Sequence, residues 1–61
     1  MELIVDNSYI LVVEGSGRNL TFHCKIISVD NDSVTFIDKF GKRMSYRKDK
    51  IISSEEVENG N

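Results

Sequence analysis

Basic residues are concentrated in one short stretch of this chain. Six of its eight Lys and Arg residues lie between positions 39 and 50, where Asp49 is the only acidic residue. The formal net charge of the whole chain is −2, so the remainder of the sequence is acidic. Cations spaced along a strand and its turns can contact phosphates and release bound counterions. The stretch therefore predicts a surface for an anionic partner, formed by Lys39, Lys42, Arg43, Arg47, Lys48 and Lys50.

Aromatic residues near the basic stretch are candidates for base stacking, which contributes ~1–3 kcal/mol per base beside cations. Phe40 lies next to Lys39 in a predicted turn and is the better candidate, with capping of the core by its ring as the favoured alternative. Tyr46 is expected to pack its ring inward and to hydrogen-bond its hydroxyl, and Phe36 is expected in the core. With the six cations, Phe40 and Tyr46 complete the predicted nucleic-acid-binding set.

The basic stretch also has a purely structural interpretation. Lys and Arg on an edge strand protect the strand against aggregation without binding anything. The overall acidity argues against a strong nonspecific nucleic-acid binder. Both interpretations stay open at the level of the sequence.

Neither a catalytic group nor a metal or cofactor site is expected. His23 and Cys24 are neighbours, so on a strand they point to opposite faces, a surface histidine and a core thiol. A calcium loop starting at Asp30 would need Gly at its sixth position and Glu at its twelfth, but the chain has Thr35 and Gly41 there. The remaining carboxylates are scattered, so we expect no enzyme, no catalytic residues, no metal and no cofactor.

The size and the terminus of the chain limit its class. A chain of 61 residues forms one small domain, and such domains bury only about 60% of their unfolded surface, so self-association would help stability. Cys24 is the only cysteine, which fits a reducing compartment. Met1 to Asp6 has no signal-peptide pattern, and the longest apolar run, Ile10 to Val13, is too short to span a bilayer. The sequence predicts a soluble, cytoplasmic protein without membrane contact.

The composition predicts strands. Proline and alanine are absent, and the apolar residues are mostly Ile, Val, Phe and Tyr. Turn residues recur at short intervals, and Gly41 is expected in the left-handed conformation. Residues 1–6 form either a short strand or a lead-in. The other predicted strands cover residues 9–14, 20–29, 34–38, 43–47 and 51–54, with one helical turn at 48–50.

The second of these five strands carries two phases of alternation. Apolar residues occupy every second position up to Ile26, and then Ile27 and Val29 form the apolar set. A phase shift inside a long strand indicates a bulge or bend, which barrels use to close. The predicted fold is therefore all-β: a single five-stranded SH3-like (Sm-like) barrel over residues 1–54, with a bent second strand and a one-turn helix before the last. Residues 55–61 are expected to form a frayed acidic tail.

From Tyr9 to Ser54 the chain resembles the Sm-like barrels of the Sm proteins and the bacterial host-factor RNA chaperones. The run Arg-Lys-Asp-Lys-Ile at 47–51 is similar to the Arg-Gly-Asp-Asn-Ile-like element of Sm proteins, and Tyr-Arg-Lys followed by Ile-Ser at 46–53 is similar to the host-factor pattern. Residues 17–30 resemble the other half of the Sm signature. The chain also resembles the carboxy-terminal Sm-like domain of ribosome maturation factors, a barrel class that often serves in protein interactions.

This chain departs from the Sm pattern at four positions. Cys24 occupies the place of a glycine, Val34 that of the asparagine that reads a uridine base, and Lys48 and Lys50 replace glycine and asparagine. The resemblance thus implies the barrel rather than the family's base pocket. It also implies a homo-oligomeric ring in which strands four and five of neighbouring subunits pair.

Three functions are compatible with these features. The first is RNA binding, with phosphate contacts from Arg43, Arg47, Lys48 and Lys50 and stacking by Phe40 or Tyr46. The second is a protein-interaction adaptor, in which an open strand edge takes in a peptide strand or the basic patch docks an acidic partner. The third is a small double-stranded DNA-binding regulator, against which the negative net charge and the lack of a recognition helix count.

Overall fold

A computed structural model describes residues 2–57 as five strands and one short helical turn. The strands are β1 (Ser8–Glu14), β2 (Asn19–Val29), β3 (Ser33–Asp38), β4 (Arg43–Arg47) and β5 (Ile51–Val57). A single 3₁₀ turn, Lys48–Lys50, connects β4 to β5. The first four strands begin within one residue of their predicted starts and end where predicted. The predicted all-β class and the helical turn are confirmed.

The strands form one antiparallel sheet with the order β4-β3-β2-β1-β5. Strands β4 and β5 are consecutive in the chain but lie at opposite edges of the sheet. The three residues between them span at most about 14 Å, so the sheet must curl until its two edges approach each other at that end. Within residues 2–57, no ladder of hydrogen bonds joins β4 to β5, so the sheet is not closed.

Strand β2 bends as its sequence predicts. Its pairing register with β3 shifts between Ile26 and Ser28, which confirms the predicted bulge. The lead-in is hydrogen-bonded to the bend in β2. The N–H of Asp6 donates to the Ile26 carbonyl (2.8 Å), and the N–H of Ile26 donates to the Asn7 carbonyl (3.1 Å). The described part of the lead-in, residues 2–6, therefore lies outside the strands but is attached to the bend.

The core lies on one face of the curled sheet. Its buried members alternate along the strands, as a period of two requires, and they are Tyr9, Leu11, Val13, Cys24, Ile26, Val34, Phe36 and Ile51. Phe36 is fully buried, and the Tyr46 ring stacks parallel to it with 5.8 Å between the centroids. Both aromatic side chains thus point inward, as predicted.

Strand β5 is longer than the sequence predicts. It continues three residues past Ser54, and there Glu55 and Glu56 pair with Ile10 and Tyr9 of β1. The Asn7 side-chain amide also donates to a Glu56 carboxylate oxygen (2.9 Å). Backbone pairing with β1 does not depend on apolar side chains, which explains why three acidic-tail positions belong to the sheet. Residues 58–61 of the predicted tail lie outside the described residues.

Candidate nucleic-acid interface

Strand β4 divides the basic stretch into two clusters. The turn cluster consists of Lys39, Phe40, Lys42 and Arg43 and lies where β3 turns into β4. The helical-turn cluster consists of Arg47, Lys48 and Lys50 and lies where β4 leads into the 3₁₀ turn. The four steps from Arg43 to Arg47 separate the clusters by about 13 Å along the strand. The structure therefore does not bring the six predicted cations together in one patch.

The turn that carries the first cluster is held in shape by Asp38. Its Oδ1 accepts hydrogen bonds from the backbone N–H groups of Phe40 (3.0 Å) and Lys42 (2.8 Å). The backbone closes the same turn, because the N–H of Asp38 donates to the Lys42 carbonyl (2.9 Å) and that of Gly41 to the Asp38 carbonyl (3.0 Å). Gly41 has φ = 84°, as its predicted left-handed conformation requires. Four hydrogen bonds thus hold the turn that carries Phe40.

Phe40 stands out from this ordered turn into solvent. It is 82% exposed, so the expected alternative, capping of the core by its ring, is wrong. The ammonium group of Lys39 lies 5.4 Å from the centroid of the ring, within cation–π distance. An exposed aromatic face beside a cation is the arrangement that stacks on nucleic-acid bases.

The cations of the turn cluster have no acidic partners among residues 2–57. Lys39, Lys42 and Arg43 are exposed, and none forms an ion pair with a described carboxylate. The Asp38 carboxylate lies in the same turn, where its Oδ1 accepts from two backbone N–H groups and its charge offsets part of the positive charge of the cluster. These cations are free to contact an external anion.

Pairing between strands adds Lys25 to the turn cluster. Lys25 of β2 pairs with Ile37 of β3, and Ile37 pairs with Arg43 of β4. Directly paired residues present their side chains on the same face, so Lys25 and Arg43 share the outer face with Ile37 between them. Lys25 lies 14 positions before the basic stretch, so the sequence alone does not connect the two. Only the strand order brings these distant positions together.

In the helical-turn cluster, Arg47 is engaged by an acidic neighbour. Its Nε and Nη2 donate to the two carboxylate oxygens of Asp49, at 3.2 and 2.9 Å. This hydrogen bonding lowers the pKa of the Asp49 carboxyl and raises that of Arg47. The two side chains satisfy each other across the short turn. Both are exposed, so the pair reduces the local positive charge without adding much stability.

The two lysines of the helical-turn cluster also face acidic groups. The Lys50 ammonium lies 3.8 Å from a Glu14 carboxylate oxygen. Lys48 borders an open hollow together with Asp30 and Asp32, and its N–H donates to the Asp32 carbonyl (2.8 Å). In this cluster Arg47 and Lys50 are therefore paired with carboxylates, whereas Lys48 and the three cations of the turn cluster form no ion pair among residues 2–57.

One predicted binding residue, Tyr46, falls outside both clusters. Tyr46 is half-buried on the inner face and does not reach the outer face beside Arg43.

Burial, followed by the Asp38 charge, raises the pKa of the Cys24 thiol to about 11, so the thiol is protonated at neutral pH. His23 is exposed on the opposite face, as predicted. In the part of the chain that the structure describes, no three His, Cys, Asp or Glu side chains are grouped to hold a metal.

Comparison with known proteins gives no relative. No protein-family model matches the chain, and no curated protein or solved structure matches it significantly. Residues 2–57 include no helix that is long and apolar enough to cross a membrane. The likeness to Sm-like barrels remains a prediction.

Proposed function

We propose that this protein is a non-catalytic module that binds single-stranded RNA through the turn cluster and Lys25. The observation that carries the proposal is Phe40, which is 82% exposed on a hydrogen-bonded turn. Lys39 lies over its ring, and none of the three cations in the turn cluster forms an ion pair with a carboxylate among residues 2–57. Exposure of a large aromatic ring to water is unfavourable. A base that stacks on the ring would remove that cost.

In this proposal the aromatic ring and the cations have separate roles. Stacking of a base on Phe40 contributes ~1–3 kcal/mol. Phosphates on either side of that base contact Lys25, Lys42 and Arg43. Each contact adds about −0.7 to the slope of log affinity against log salt concentration for a single strand. Three to four contacts predict that affinity falls about 20- to 50-fold between 50 and 200 mM salt.

We further propose that the curled sheet is a small SH3-like barrel of the Sm-like kind that assembles into a homo-oligomer. The edge strands β4 and β5 each pair with one strand and leave their other edge unpaired among residues 2–57. The β4 edge carries Arg43 and Arg47, whereas β5 carries Glu55 and Glu56, so two copies are complementary in charge when β4 of one meets β5 of the next. Light scattering after gel filtration tests this assembly: a multimer agrees with it, and a monomer at high micromolar concentration contradicts it.

A protein-interaction adaptor is the second candidate function, favoured by one feature of β5. The pairing of β5 with β1 shifts between Val12 and Val13, which leaves Ile52 as an extra residue that is 53% exposed on an open edge. A peptide strand that added to this edge would cover Ile52. Such docking depends on apolar contact and backbone hydrogen bonds, so it would respond little to salt.

Fluorescence anisotropy of labelled oligouridine at 50 and 200 mM salt tests the RNA proposal. Binding with the salt dependence given above agrees with it. Absence of binding at 50 mM salt contradicts it and leaves the adaptor. Binding of a labelled DNA duplex in preference to the single strand would favour the third predicted function, a DNA-binding regulator.

A further inference from the structure

An open hollow of about 260 Å³ lies beside the turn cluster. We call it the outer hollow, because most of its lining belongs to the outer face of the sheet. Val57, Ser8, Lys25 and Ile37 follow one another across β5, β1, β2 and β3 in direct register. The same row ends at Arg43 of the turn cluster. His23 and Lys39 also line the hollow.

The lining of the outer hollow indicates the chemistry of its ligand. Lys25 and Lys39 supply two cations at its rim, and neither forms an ion pair with a carboxylate among residues 2–57. Ile37 and Val57 supply apolar wall, and Val57 is 38% exposed there. Asp38 also lines the hollow, and its negative charge offsets one of the two positive charges, so the lining keeps one net positive charge if His23 is neutral. The hollow thus fits a ligand with an anionic group and a flat apolar body.

The size of the hollow limits the ligand further. Pockets that enclose drug-sized ligands occupy roughly 300–1,000 Å³, and the outer hollow is slightly smaller than that range. It has room for one heterocyclic base with its sugar. The Ser8 hydroxyl and the His23 imidazole are the polar groups available for the edge of such a base.

We infer that the outer hollow binds one nucleotide of the RNA, with the base against Val57 beside Ser8 and the phosphate on Lys25 and Lys39. This inference rests on the proposed RNA-binding function and extends it. Lys39 connects the two places, because its ammonium group lies 5.4 Å from the Phe40 ring while its residue lines the hollow. One nucleotide in the hollow and its neighbour stacked on Phe40 would therefore share a cation.

The test is an amide chemical-shift titration of the ¹⁵N-labelled full chain with uridine or adenosine monophosphate at millimolar concentration. We expect shifts at Ser8, Lys25, Ile37 and Val57 that saturate, with inorganic phosphate reproducing less than a third of them. Equal shifts with phosphate alone would show an anion site without a base and would overturn the inference. Absence of shifts at these amides with either mononucleotide would also overturn it.

Two variants of β5 provide a matched comparison. Val57→Asp places a carboxylate in the wall of the hollow, and we expect it to weaken mononucleotide binding about tenfold or more. Ile52→Asp adds the same charge to the same strand at an exposed residue that does not line the hollow, and we expect less than a twofold change. If the two variants weakened mononucleotide binding equally, the nucleotide would not lie beside Val57.

The same sample separates this inference from the function on which it rests. If oligouridine binds with the expected salt dependence while the amides of the hollow stay unchanged, the RNA-binding proposal stands and the nucleotide site falls. If oligouridine does not bind at all, both fall. Shifts at both the hollow and the Phe40 turn support both.

Discussion

The two ends of β4 carry equal numbers of cations and differ in what surrounds them. At the turn end, Lys39, Lys42 and Arg43 have no acidic partner among the described residues, and an exposed aromatic ring stands beside them. At the other end, Arg47 forms two hydrogen bonds with Asp49. In this fold one basic run is thus divided into an end whose cations are unpaired and an end where two of the three are paired with carboxylates.

The same contrast extends to the backbone. The turn cluster lies on a hairpin loop that is fixed by a side-chain acceptor, Asp38. The helical-turn cluster lies on three residues whose turn has no side-chain cap. Ordered turns lose less conformational entropy on binding, but the helical turn is also held, because the N–H of Lys48 donates to the Asp32 carbonyl. Charge and the exposed ring, rather than backbone order, therefore favour the turn end as the interface.

The largest expected effect comes from reversing charge at one end at a time. Lys42→Glu with Arg43→Glu should weaken oligouridine binding about 100-fold at 50 mM salt, because two phosphate contacts become repulsive. Lys48→Glu with Lys50→Glu changes the net charge by the same amount and should weaken binding less than about fivefold. Anisotropy titrations measure both.

Thermal unfolding of the two double variants serves as the control. All four positions are exposed, so the midpoints should agree with that of the wild type to within a few degrees. If Lys48→Glu with Lys50→Glu lost more affinity than Lys42→Glu with Arg43→Glu, the RNA would bind at the helical-turn cluster instead.

The next largest effect concerns the aromatic ring. Phe40→Ala should weaken oligouridine binding by ~1–3 kcal/mol, about 5- to 150-fold, because the stacking surface is removed. Stability should be unchanged, since the ring is 82% exposed. Ile52→Ala removes another exposed apolar side chain and is the matched control. If Phe40→Ala binds as the wild type does, Phe40 is not a stacking platform.

A smaller effect is expected from the residue that orders the turn. Asp38→Asn keeps a side-chain oxygen that can accept from the N–H groups of Phe40 and Lys42, whereas Asp38→Ala does not. Both changes remove the same charge. We expect Asp38→Ala to bind oligouridine about three- to tenfold more weakly than Asp38→Asn. Equal affinities of the two variants would mean that an ordered turn is not required.

The smallest effect sharpens the account of the helical-turn cluster. Asp49→Asn removes the acidic partner of Arg47, which should release the guanidinium and raise affinity for oligouridine about two- to threefold at 50 mM salt. The increase should disappear in the double variant Asp49→Asn with Arg47→Gln. Unchanged affinity in Asp49→Asn would show that this end does not approach the RNA even when its charge is free.

Most of the fold could be predicted because each local signal agreed with the others. Alternation located the strands, Gly41 located the hairpin turn, and the phase shift after Ile26 located the bend that the pairing of β2 and β3 shows. The end of β5 could not be predicted, because Glu55 and Glu56 join the sheet through backbone pairing with β1. Charged residues on an edge strand look like a tail in the sequence.

The site was predicted less completely than the fold. The sequence located the cations but not their neighbours: Glu14 reaches Lys50 across many positions of the chain. Lys25 joins the turn cluster only through the order of the strands. The exposure of Phe40 depends on whether the core has room for its ring, which packing in three dimensions decides.

The most direct test of the central claim is a comparison of the two ends of β4 in one spectrum. Oligouridine is titrated into the ¹⁵N-labelled wild-type protein, and the amide shifts of residues 40–43 are compared with those of residues 47–50. The account predicts large, saturating shifts at 40–43 and shifts less than about one third as large at 47–50. Shifts centred on 47–50, or no shifts at either end, would contradict it.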